Sequence, residues 1–485
     1  MDFGANLTSA LLIADLIIRS VLSVRVIMRG EPPQVTLAWL VVILVFPFAG
    51  ALLYLLIGEN RLGSRRVARE REIAEPYLRR MAELRAWDLA SVPLPPAAMR
   101  VARTCTSLTG IPVLHGNSVE LFPDPDPAFD ALIADIDRAE RTCHLETFIW
   151  FNGGRADDVA RALVRAARRG VVCRVLADAV GSRAFLASQT AREMRAAGVQ
   201  LVSSLPVGVF RLLLVRQDLR NHRKLLVVDG QVAYLGSLNV ADPRCFKLSS
   251  GCAPWVDVMA RMTGPAVEAA ALSFLEDWHL DTGDGLEQLG PERVDLRHLD
   301  RSGETPVQLV PSGPGRRRGV AMETFVAAID AAERELIITT PYFVPDAILL
   351  GNMLSAARRG VDVTLIIPEK VDSAFAHWAS RSNFQKLFDA GAKVAQYRGG
   401  LLHTKSITAD GHICYLGTTN MDARSCYLNY ELGIFAYDED LAGRVRELQV
   451  RYLANCTFVD PPSWRARPVV IRFWENVVSL MGPLI

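Results

Sequence analysis

The sequence contains one pattern twice, as HRKLLVVDG at residues 222–230 and as HTKSITADG at residues 403–411. Each copy has a histidine, one spacer, a lysine, four spacers and an aspartate, and each is followed downstream by a glycine, a serine or threonine, one spacer and an asparagine. Because alternate side chains of a β-strand share one face, the histidine and lysine of each copy are expected to project into one site. The aspartate and the glycine after it are expected to end the strand in a turn.

The candidates for catalysis are the histidine, lysine and aspartate of each copy, namely His222, Lys224 and Asp229 in the first and His403, Lys405 and Asp410 in the second. The asparagines that follow, Asn239 and Asn420, are candidates for binding phosphate or orienting the site. Only six of the 54 basic residues are lysines, and two of the six lie in these motifs. The compact charge of lysine suits contact with one phosphate oxygen, whereas arginine presents a wide fork. A single copy could be a buried structural histidine beside a solvated lysine, but two complete copies favour phosphodiester chemistry. The two aspartates are expected to hold the site together from behind the histidines and lysines, and the alternative is that they are simple turn formers.

Further matches around the motifs indicate a duplicated domain. Residues 166–171 and 356–361 are identical, and residues 235–239 match 416–420 at the same offset of 181 residues as the two histidines. Within the first copy the apolar pattern predicts alternating elements, namely helices over 128–141 and 157–169 and strands over 143–150 and 171–177. The expected fold class is α/β, with two duplicated domains packed face to face and helices covering the sheet.

Composition sets the expected boundaries between the parts. Prolines near residue 95 indicate a linker, and a stretch rich in glycine, proline and arginine around 303–318 indicates a connection between the domains. We expect a membrane anchor at 1–60, a linker with one helical stretch at 61–110, a first domain at 111–302, a connection at 303–320, a second domain at 321–463 and a C-terminal helix at 464–485. This last helix mixes arginines with large apolar residues, which suits either an interfacial helix or a packed terminal helix.

The N-terminal region is the candidate membrane anchor. Residues 37–57 carry no charge, and such a run at 1.5 Å per residue is long enough to cross a hydrocarbon core of about 30 Å. Residues 7–24 are apolar except for Asp15 and Arg19, which could pair as i and i+4 neighbours. This segment is expected to complete a transmembrane helical hairpin or to lie in the interface. Arginines after the second span favour a cytoplasmic catalytic body, although two arginines in the loop before it favour the opposite orientation.

The overall charge is +1, from 54 basic and 53 acidic residues. A protein that binds nucleic acid through an extended basic groove needs a stronger positive field. Nucleic acid is therefore not an expected partner. The sequence gives no prediction of the oligomeric state.

With these motifs the chain resembles the phospholipase D superfamily, and more closely the bacterial cardiolipin synthases. The resemblance covers nearly the whole chain, and it is carried by the two histidine motifs, the N-terminal hydrophobic segments and the stretches 219–224, 236–239, 340–345 and 399–406. It implies an enzyme of the bacterial inner membrane that transfers a phosphatidyl group from one phosphatidylglycerol to another, giving cardiolipin and glycerol. Hydrolysis, or transfer to another alcohol, is the alternative.

The resemblance also implies roles for the site residues. One histidine attacks phosphorus to give a phosphatidyl-histidine, and the other protonates the departing glycerol oxygen; by analogy we assign the attack to His222. Asp257 and Glu431, one downstream of each motif, are implied to orient the imidazoles. The lysines and asparagines can neutralise the non-bridging phosphate oxygens, so neither a metal ion nor another cofactor is expected. The expected partners are phosphatidylglycerol and other membrane lipids.

Overall fold

The computed structural model describes residues 2–31, 33–59, 61–87, 94–208, 215–285, 295–296, 298–315 and 319–480. The chain begins with a helical region, continues through two α/β halves and ends in two short helices. The N-terminal elements are α1 (Asp2–Met28), α2 (Pro33–Val45), α3 (Ala49–Leu53), a π-helical turn (Tyr54–Gly58), α4 (Ser64–Trp87) and α5 (Pro96–Thr109).

The N-terminal hairpin differs from its prediction. The expected span over 37–57 is divided among α2, α3 and the π-helical turn, because Pro47 has no N–H to donate and Phe48 takes a left-handed φ of 51°. The expected pair of Asp15 with Arg19 is present, and Asp15 also accepts the backbone N–H of Phe48 at 3.0 Å. Across the described ranges, no helix combines the length and the apolar character needed to cross a membrane. The structure therefore does not support the two predicted spans.

The first half alternates strands and helices, as the sequence predicted. Its elements are β1 (Leu114–Phe122), α6 (Pro125–Arg138), β2 (Thr142–Thr147), α7 (Arg155–Arg168), β3 (Val172–Asp178), α8 (Arg183–Leu186), α9 (Gln189–Ala196), β4 (Gln200–Ser204), β5 (Leu225–Val228), β6 (Val232–Gly236), a 3-10 turn (Leu248–Ser250), β7 (Trp255–Val256), β8 (Met259–Thr263) and α10 (Ala266–Thr282). In α7, Val159 and Leu163 are fully buried. Acidic residues in its first turn and arginines in its last turn complement the helix dipole.

The second half repeats this arrangement. Its elements are β9 (Thr305–Ser312), α11 (Val320–Ala331), β10 (Glu335–Thr339), β11 (Phe343–Val344), α12 (Ala347–Arg358), β12 (Asp362–Pro368), α13 (Ala374–Arg381), α14 (Phe384–Ala390), β13 (Lys393–Tyr397), β14 (Leu401–Leu402), β15 (Ser406–Ala409), β16 (Ile413–Gly417), β17 (Met421–Asp422), α15 (Ala423–Tyr427), β18 (Glu431–Ala436), α16 (Glu439–Ala454) and β19 (Cys456–Phe458). Helices α17 (Pro461–Arg465) and α18 (Val469–Ser479) follow.

One fifteen-stranded sheet runs through both halves, in the order β19-β13-β12-β10-β15-β16-β18-β9-β1-β8-β6-β5-β2-β3-β4. The halves join at the antiparallel pair of β9 with β1, where Leu114 lies opposite Val307. Read outward from this pair, the seven strands that end in β13 have the same order as the seven that end in β4. This matched order confirms the predicted duplication.

A shared hydrophobic core packs the two halves against each other. Leu225 and Leu235 contribute to it from the first half, Leu416 and Leu432 contribute from the second, and α10 lies within it. Each half also has its own core on the other side of its strands. The two motif-bearing strands, β5 and β15, are thereby held in one rigid unit.

The segment 61–110, expected to be a linker with one helical stretch, instead forms the two helices α4 and α5. Met81 of α4 belongs to the shared core, and Val101 and Cys105 of α5 are fully buried in the core of the second half. Pro95 and Pro96, two of the prolines that suggested a linker, start α5, where a missing backbone N–H costs no helical hydrogen bond. The segment is therefore part of the folded body.

The C-terminal helix α18 has one packed face and one exposed face. The packed face carries buried Glu475, which accepts hydrogen bonds from Arg381 of α13 and from Arg467, both at 2.8 Å. The other face exposes Val470 and Trp474. The helix thus combines features of the two alternatives predicted from the sequence.

Candidate active site

Each histidine motif begins just before a strand and pairs with a segment of the other half. The His222 backbone N–H donates to the Tyr430 carbonyl at 2.9 Å, and the His403 N–H donates to the Val256 carbonyl at 2.8 Å. Short parallel pairs continue these contacts, between β14 and β7 and between Asn221 and Tyr430. The two motifs are thus fixed at the interface between the halves.

The two imidazoles are held by carboxylates from the opposite half. His222 Nδ1 lies 3.0 Å from the Glu431 carboxylate, and His403 Nδ1 lies 2.6 Å from Asp257 Oδ1. Burial raises the pKa of each carboxyl group, but its histidine and the nearby motif lysines outweigh this effect and leave the pKa below its ordinary value. An ionised carboxylate only accepts hydrogen bonds, so each Nδ1 carries the proton and each Nε2 presents a lone pair.

Aromatic rings enclose both histidines. The Phe148 ring meets His222 edge-on with centroids 4.8 Å apart, and the Trp255 ring lies 4.4 Å from His403. Burial lowers the pKa of His222 to about 4 and that of His403 to about 3. Both imidazoles are therefore neutral at pH 7 in the free protein, which favours nucleophilic attack by either one.

The motif lysines lie beside the histidines and act on both of them. Lys224 Nζ donates to the His222 carbonyl at 2.6 Å, and Lys405 Nζ donates to the His403 carbonyl at 2.5 Å. Burial lowers the pKa of Lys224 to about 8 and that of Lys405 well below its usual range. After burial, the charges of Lys224 and Lys405 each help to lower the pKa of both histidines. The two motifs consequently form one site.

The motif asparagines border this site. Asn239 Oδ1 accepts the Ile149 backbone N–H at 3.1 Å, and Asn420 Nδ2 donates to Ser425 Oγ at 3.1 Å. Asn420 Oδ1 is buried without a hydrogen-bond partner in the protein. Both amides hold loops next to the motifs, and the free oxygen of Asn420 is a spare acceptor.

Comparisons with known proteins agree with this geometry. The family model described as cardiolipin synthase, PLD-like domain matches residues 132–248 and 325–450, one match in each half. Cardiolipin synthase A of Edwardsiella ictaluri is 37% identical over 97% of this chain and 96% of that protein, and cardiolipin synthase A of Yersinia pestis is 37% identical over 96% and 95%. The chain belongs to the cardiolipin synthase family. The predicted family, and the prediction of a phosphatidyltransferase, are confirmed.

Two further matches concern the N-terminal hairpin and the fold of the whole chain. A family model described as phospholipase D-nuclease N-terminal matches residues 17–59, over the N-terminal hairpin. The crystal structure of phosphatidylserine synthase from Haemophilus influenzae aligns with a TM-score of 0.59 at 15% identity, over 80% of this chain and all of that one. This structure shows a shared fold.

The motif aspartates lie away from the imidazoles of this cardiolipin synthase family member. Asp229 stands at the end of β5 opposite to His222, where its carboxylate accepts the backbone N–H groups of residues 140–142 at 2.8 to 2.9 Å. Asp410 accepts those of residues 333–335 at 2.7 to 2.8 Å. Both aspartates have a positive φ, of 51° and 53°. The structure therefore places them in turns that brace the start of β2 and β10, in supporting positions rather than beside the reacting nitrogens.

Sequence reasoning missed Arg66, which reaches the site from α4. Its Nε donates to the Tyr430 hydroxyl at 2.9 Å, and its Nη1 pairs with Asp281 at 2.5 Å. Tyr430 in turn accepts the His222 backbone N–H and precedes Glu431. Arg66 belongs to the arginine cluster that was assigned to a membrane flank, and no sequence signal distinguishes it there.

Among the residues that the structure describes, no group of three or more histidine, cysteine, aspartate or glutamate side chains could hold a metal ion. That the reaction needs no cofactor stays a prediction.

Proposed function

We propose that this enzyme joins two phosphatidylglycerol molecules into cardiolipin and glycerol, through a phosphatidyl-histidine at His222. The observation that carries this proposal is the crossed pairing of Nδ1 atoms with Glu431 and Asp257, which leaves two Nε2 atoms for chemistry. One buried nucleophile and one buried acid–base group are what a two-step exchange at phosphorus requires.

In the first step, His222 Nε2 attacks phosphorus while the bond from phosphorus to the glycerol oxygen breaks. His403 gives a proton to that oxygen. The free site has a neutral His403, but the negative charge of a bound phosphodiester favours protonation of a neighbouring imidazole. In the second step, His403 takes the proton of the acceptor hydroxyl, the new bond to phosphorus forms, and the bond to His222 breaks.

Lys224 and Lys405 are suited to hold the non-bridging oxygens during both steps. Buried ammonium groups stabilise developing charge more strongly than solvated ones. Both side chains are about 1% exposed, and each ammonium donates a hydrogen bond to the carbonyl of its motif histidine. Each ammonium retains donor capacity for a phosphate oxygen.

The enzyme is proposed to act at the bacterial inner membrane with its catalytic body in the cytoplasm. Support comes from the large apolar side chains exposed along α1 and α2, such as Leu12, Leu16 and Leu37, each at least 62% exposed. Contiguous apolar surface of this kind marks a lipid or protein contact. Alkaline carbonate should leave the protein in the pellet with membranes, and release into the supernatant would contradict this proposal.

The central experiment supplies purified enzyme with phosphatidylglycerol vesicles and measures cardiolipin, phosphatidic acid and released glycerol. Wild type should give cardiolipin and glycerol in equal amounts, and His222→Ala should give neither. His403→Ala should give no cardiolipin and at most one glycerol per enzyme molecule, from formation of the adduct. His412→Ala is the matched control, because its ring lies in the turn after β15, where its Nδ1 is 3.3 Å from the Asp410 carbonyl oxygen. Phosphatidic acid as the sole lipid product would instead identify a hydrolase.

Trapping the intermediate tests the histidine roles separately. After quenching in denaturant at neutral pH, which spares the acid-labile bond between phosphorus and nitrogen, an enzyme with His222 as nucleophile should carry labelled phosphatidyl groups in His403→Ala and none in His222→Ala. The opposite distribution of label would exchange the two roles.

A further inference from the structure

A cavity of about 140 Å³ opens in the second half, between β11 and the start of α13. Its wall includes Tyr342, Ser373, Phe375, Ala376, Asp422 and Arg424. None of these residues belongs to the histidine motifs. The cavity therefore offers a binding volume that the chemistry described above does not use.

The size of the cavity suits a small headgroup. An engineered protein cavity of about 150 Å³ takes up benzene, which has six non-hydrogen atoms. Glycerol also has six. One glycerol unit consequently fits this volume, whereas a second phosphate with two acyl chains does not.

The wall chemistry suits a polyol. Ser373 Oγ accepts the Ala376 backbone N–H at 3.2 Å, which leaves the hydroxyl proton free to donate. Asp422 offers carboxylate oxygens, one of which accepts the Ser425 N–H at 2.7 Å. Phe375 and Ala376 supply apolar surface for the carbon chain. A mostly apolar wall with a few fixed polar groups is typical of small-molecule sites.

The cavity adjoins the catalytic site. Burial lowers the pKa of Lys405, and Asp422 is among the carboxylates whose charge partly offsets that effect. The Tyr342 hydroxyl donates to Asp372, which also accepts from Lys247. Lys247 Nζ lies 5.4 Å from the centre of the Trp255 ring, and that ring lies 4.4 Å from the His403 ring. A chain of contacts through Asp372, Lys247 and Trp255 thus links the cavity wall to His403.

We propose that this cavity holds the glycerol headgroup of the acceptor phosphatidylglycerol, an inference that rests on the proposed function. Held there, the terminal hydroxyl of the acceptor faces the phosphatidyl-histidine. Its oxygen forms the new bond to phosphorus, the bond from phosphorus to His222 Nε2 breaks, and the hydroxyl proton passes to His403 Nε2. A filled cavity also excludes water from that position, which explains how transfer competes with hydrolysis.

The test fills the cavity. Ala376→Leu adds three carbons to the wall, and Ala374→Leu is the matched control, because Ala374 is exposed at the start of the same helix and does not line the cavity. Each variant is given phosphatidylglycerol vesicles and labelled free glycerol. Incorporation of label gives the KM for glycerol, and the ratio of cardiolipin to phosphatidic acid gives the partition between transfer and hydrolysis.

Ala376→Leu should raise the KM for glycerol at least tenfold and shift products toward phosphatidic acid, while Ala374→Leu stays within twofold of wild type. Asp422→Asn keeps the helix-capping acceptor and should weaken the preference for glycerol over 1-propanol, so it tests the cavity even if Ala376→Leu does not fold.

Two results would overturn the inference. An unchanged KM and product ratio in Ala376→Leu would show that the acceptor binds elsewhere. A parallel loss of both products with an unchanged KM would assign the cavity to the donor lipid. In either case, cardiolipin formation by wild type would still support the proposed function, and its absence would contradict that function independently of the cavity.

Discussion

Replacing Asp257 with asparagine should disable His403, although the two residues belong to different halves. The 2.6 Å contact is almost fully buried, with side chains 5% and 3% exposed. A hydrogen bond to a charged group in such a place contributes about 1.5–3 kcal/mol, or roughly 10- to 150-fold in rate. Asparagine can also donate to Nδ1 and favour the wrong tautomer, a change that costs about 10⁴ in a serine protease triad. We expect cardiolipin formation to fall by about 10² to 10⁴.

Rapid quenching with labelled phosphatidylglycerol locates the defect. With His222 as nucleophile, Asp257→Asn should slow both formation and breakdown of the adduct, because His403 transfers a proton in each step. Glu431→Gln should slow mainly the formation of the adduct, in which His222 attacks. Asp362→Asn is the control, since this carboxylate forms an exposed pair with Lys393 at 2.8 Å. The control should keep wild-type rates within twofold.

Double-mutant cycles in thermal unfolding test the crossed pairing without relying on activity. Residues in direct contact couple by about 0.5–3 kcal/mol, whereas distant residues add within about 0.5 kcal/mol. Asp257→Asn should therefore couple to His403→Gln and be additive with His222→Gln. Coupling to His222 instead would refute the assignment of each carboxylate to the histidine of the other half.

Three further predictions concern the turn, the lysines and α4. Asp229→Ala leaves three backbone N–H groups without their acceptor and should lower the free energy of unfolding by about 2 kcal/mol or more. Asp229→Asn should lower it less, because asparagine tolerates a positive φ. Equal midpoints of thermal unfolding for the two variants would contradict this prediction. Lys224 is charged below its pKa of about 8, so kcat/KM should fall as the pH rises through 8. In Lys224→Arg this decline should be absent from the pH profile, whatever the overall rate of the variant. Arg66→Gln should reduce kcat about tenfold through loss of a charged hydrogen bond, with the exposed Arg65→Gln as control, and an unchanged kcat would separate α4 from the site.

The sequence predicted the duplication because the motifs repeat at one offset, and the structure repeats the same strand order in each half. It could not predict which carboxylate holds which imidazole. His403 and Asp257 are 146 residues apart, and His222 and Glu431 are 209 apart. These partners are selected by the pairing of β14 with β7 and of Asn221 with Tyr430, and local patterns carry no record of such long-range pairs.

The differences from prediction in the first 110 residues have a common physical origin. The uncharged run over 37–57, which predicts a span, contains Pro47, and the prolines near residue 95 predict a linker. In the structure Pro47 ends a helix and Pro96 begins one. The effect of a proline depends on whether a backbone N–H is needed at its position. Whether the N–H is needed depends on where each helix begins and ends, and these boundaries are the feature that sequence patterns predict least well.

Duplication alone would give the two histidines equal surroundings, but exchange at phosphorus needs one nucleophile and one acid–base group. The residues next to the motifs provide the difference. Arg223 forms a fully buried pair with Asp277 and donates to the Glu431 carbonyl at 3.1 Å. The matching residue of the second motif, Thr404, makes a neutral contact with the Tyr452 hydroxyl at 3.0 Å.

This difference supports the assignment of attack to His222. Removing one partner of a buried ion pair leaves an uncompensated charge, so such a pair resists rearrangement more than a neutral contact does. Arg223 therefore fixes the backbone of Glu431, and through its carboxylate the direction of His222 Nε2. The rate of nucleophilic attack falls steeply when the attacking nitrogen is displaced from its position opposite the phosphorus atom. The acid–base histidine, by contrast, must contact first the leaving oxygen and then the acceptor oxygen. The imidazole whose carboxylate is braced by a buried ion pair is thus the better candidate for the nucleophile, and the one beside a neutral contact is the better candidate for the proton carrier.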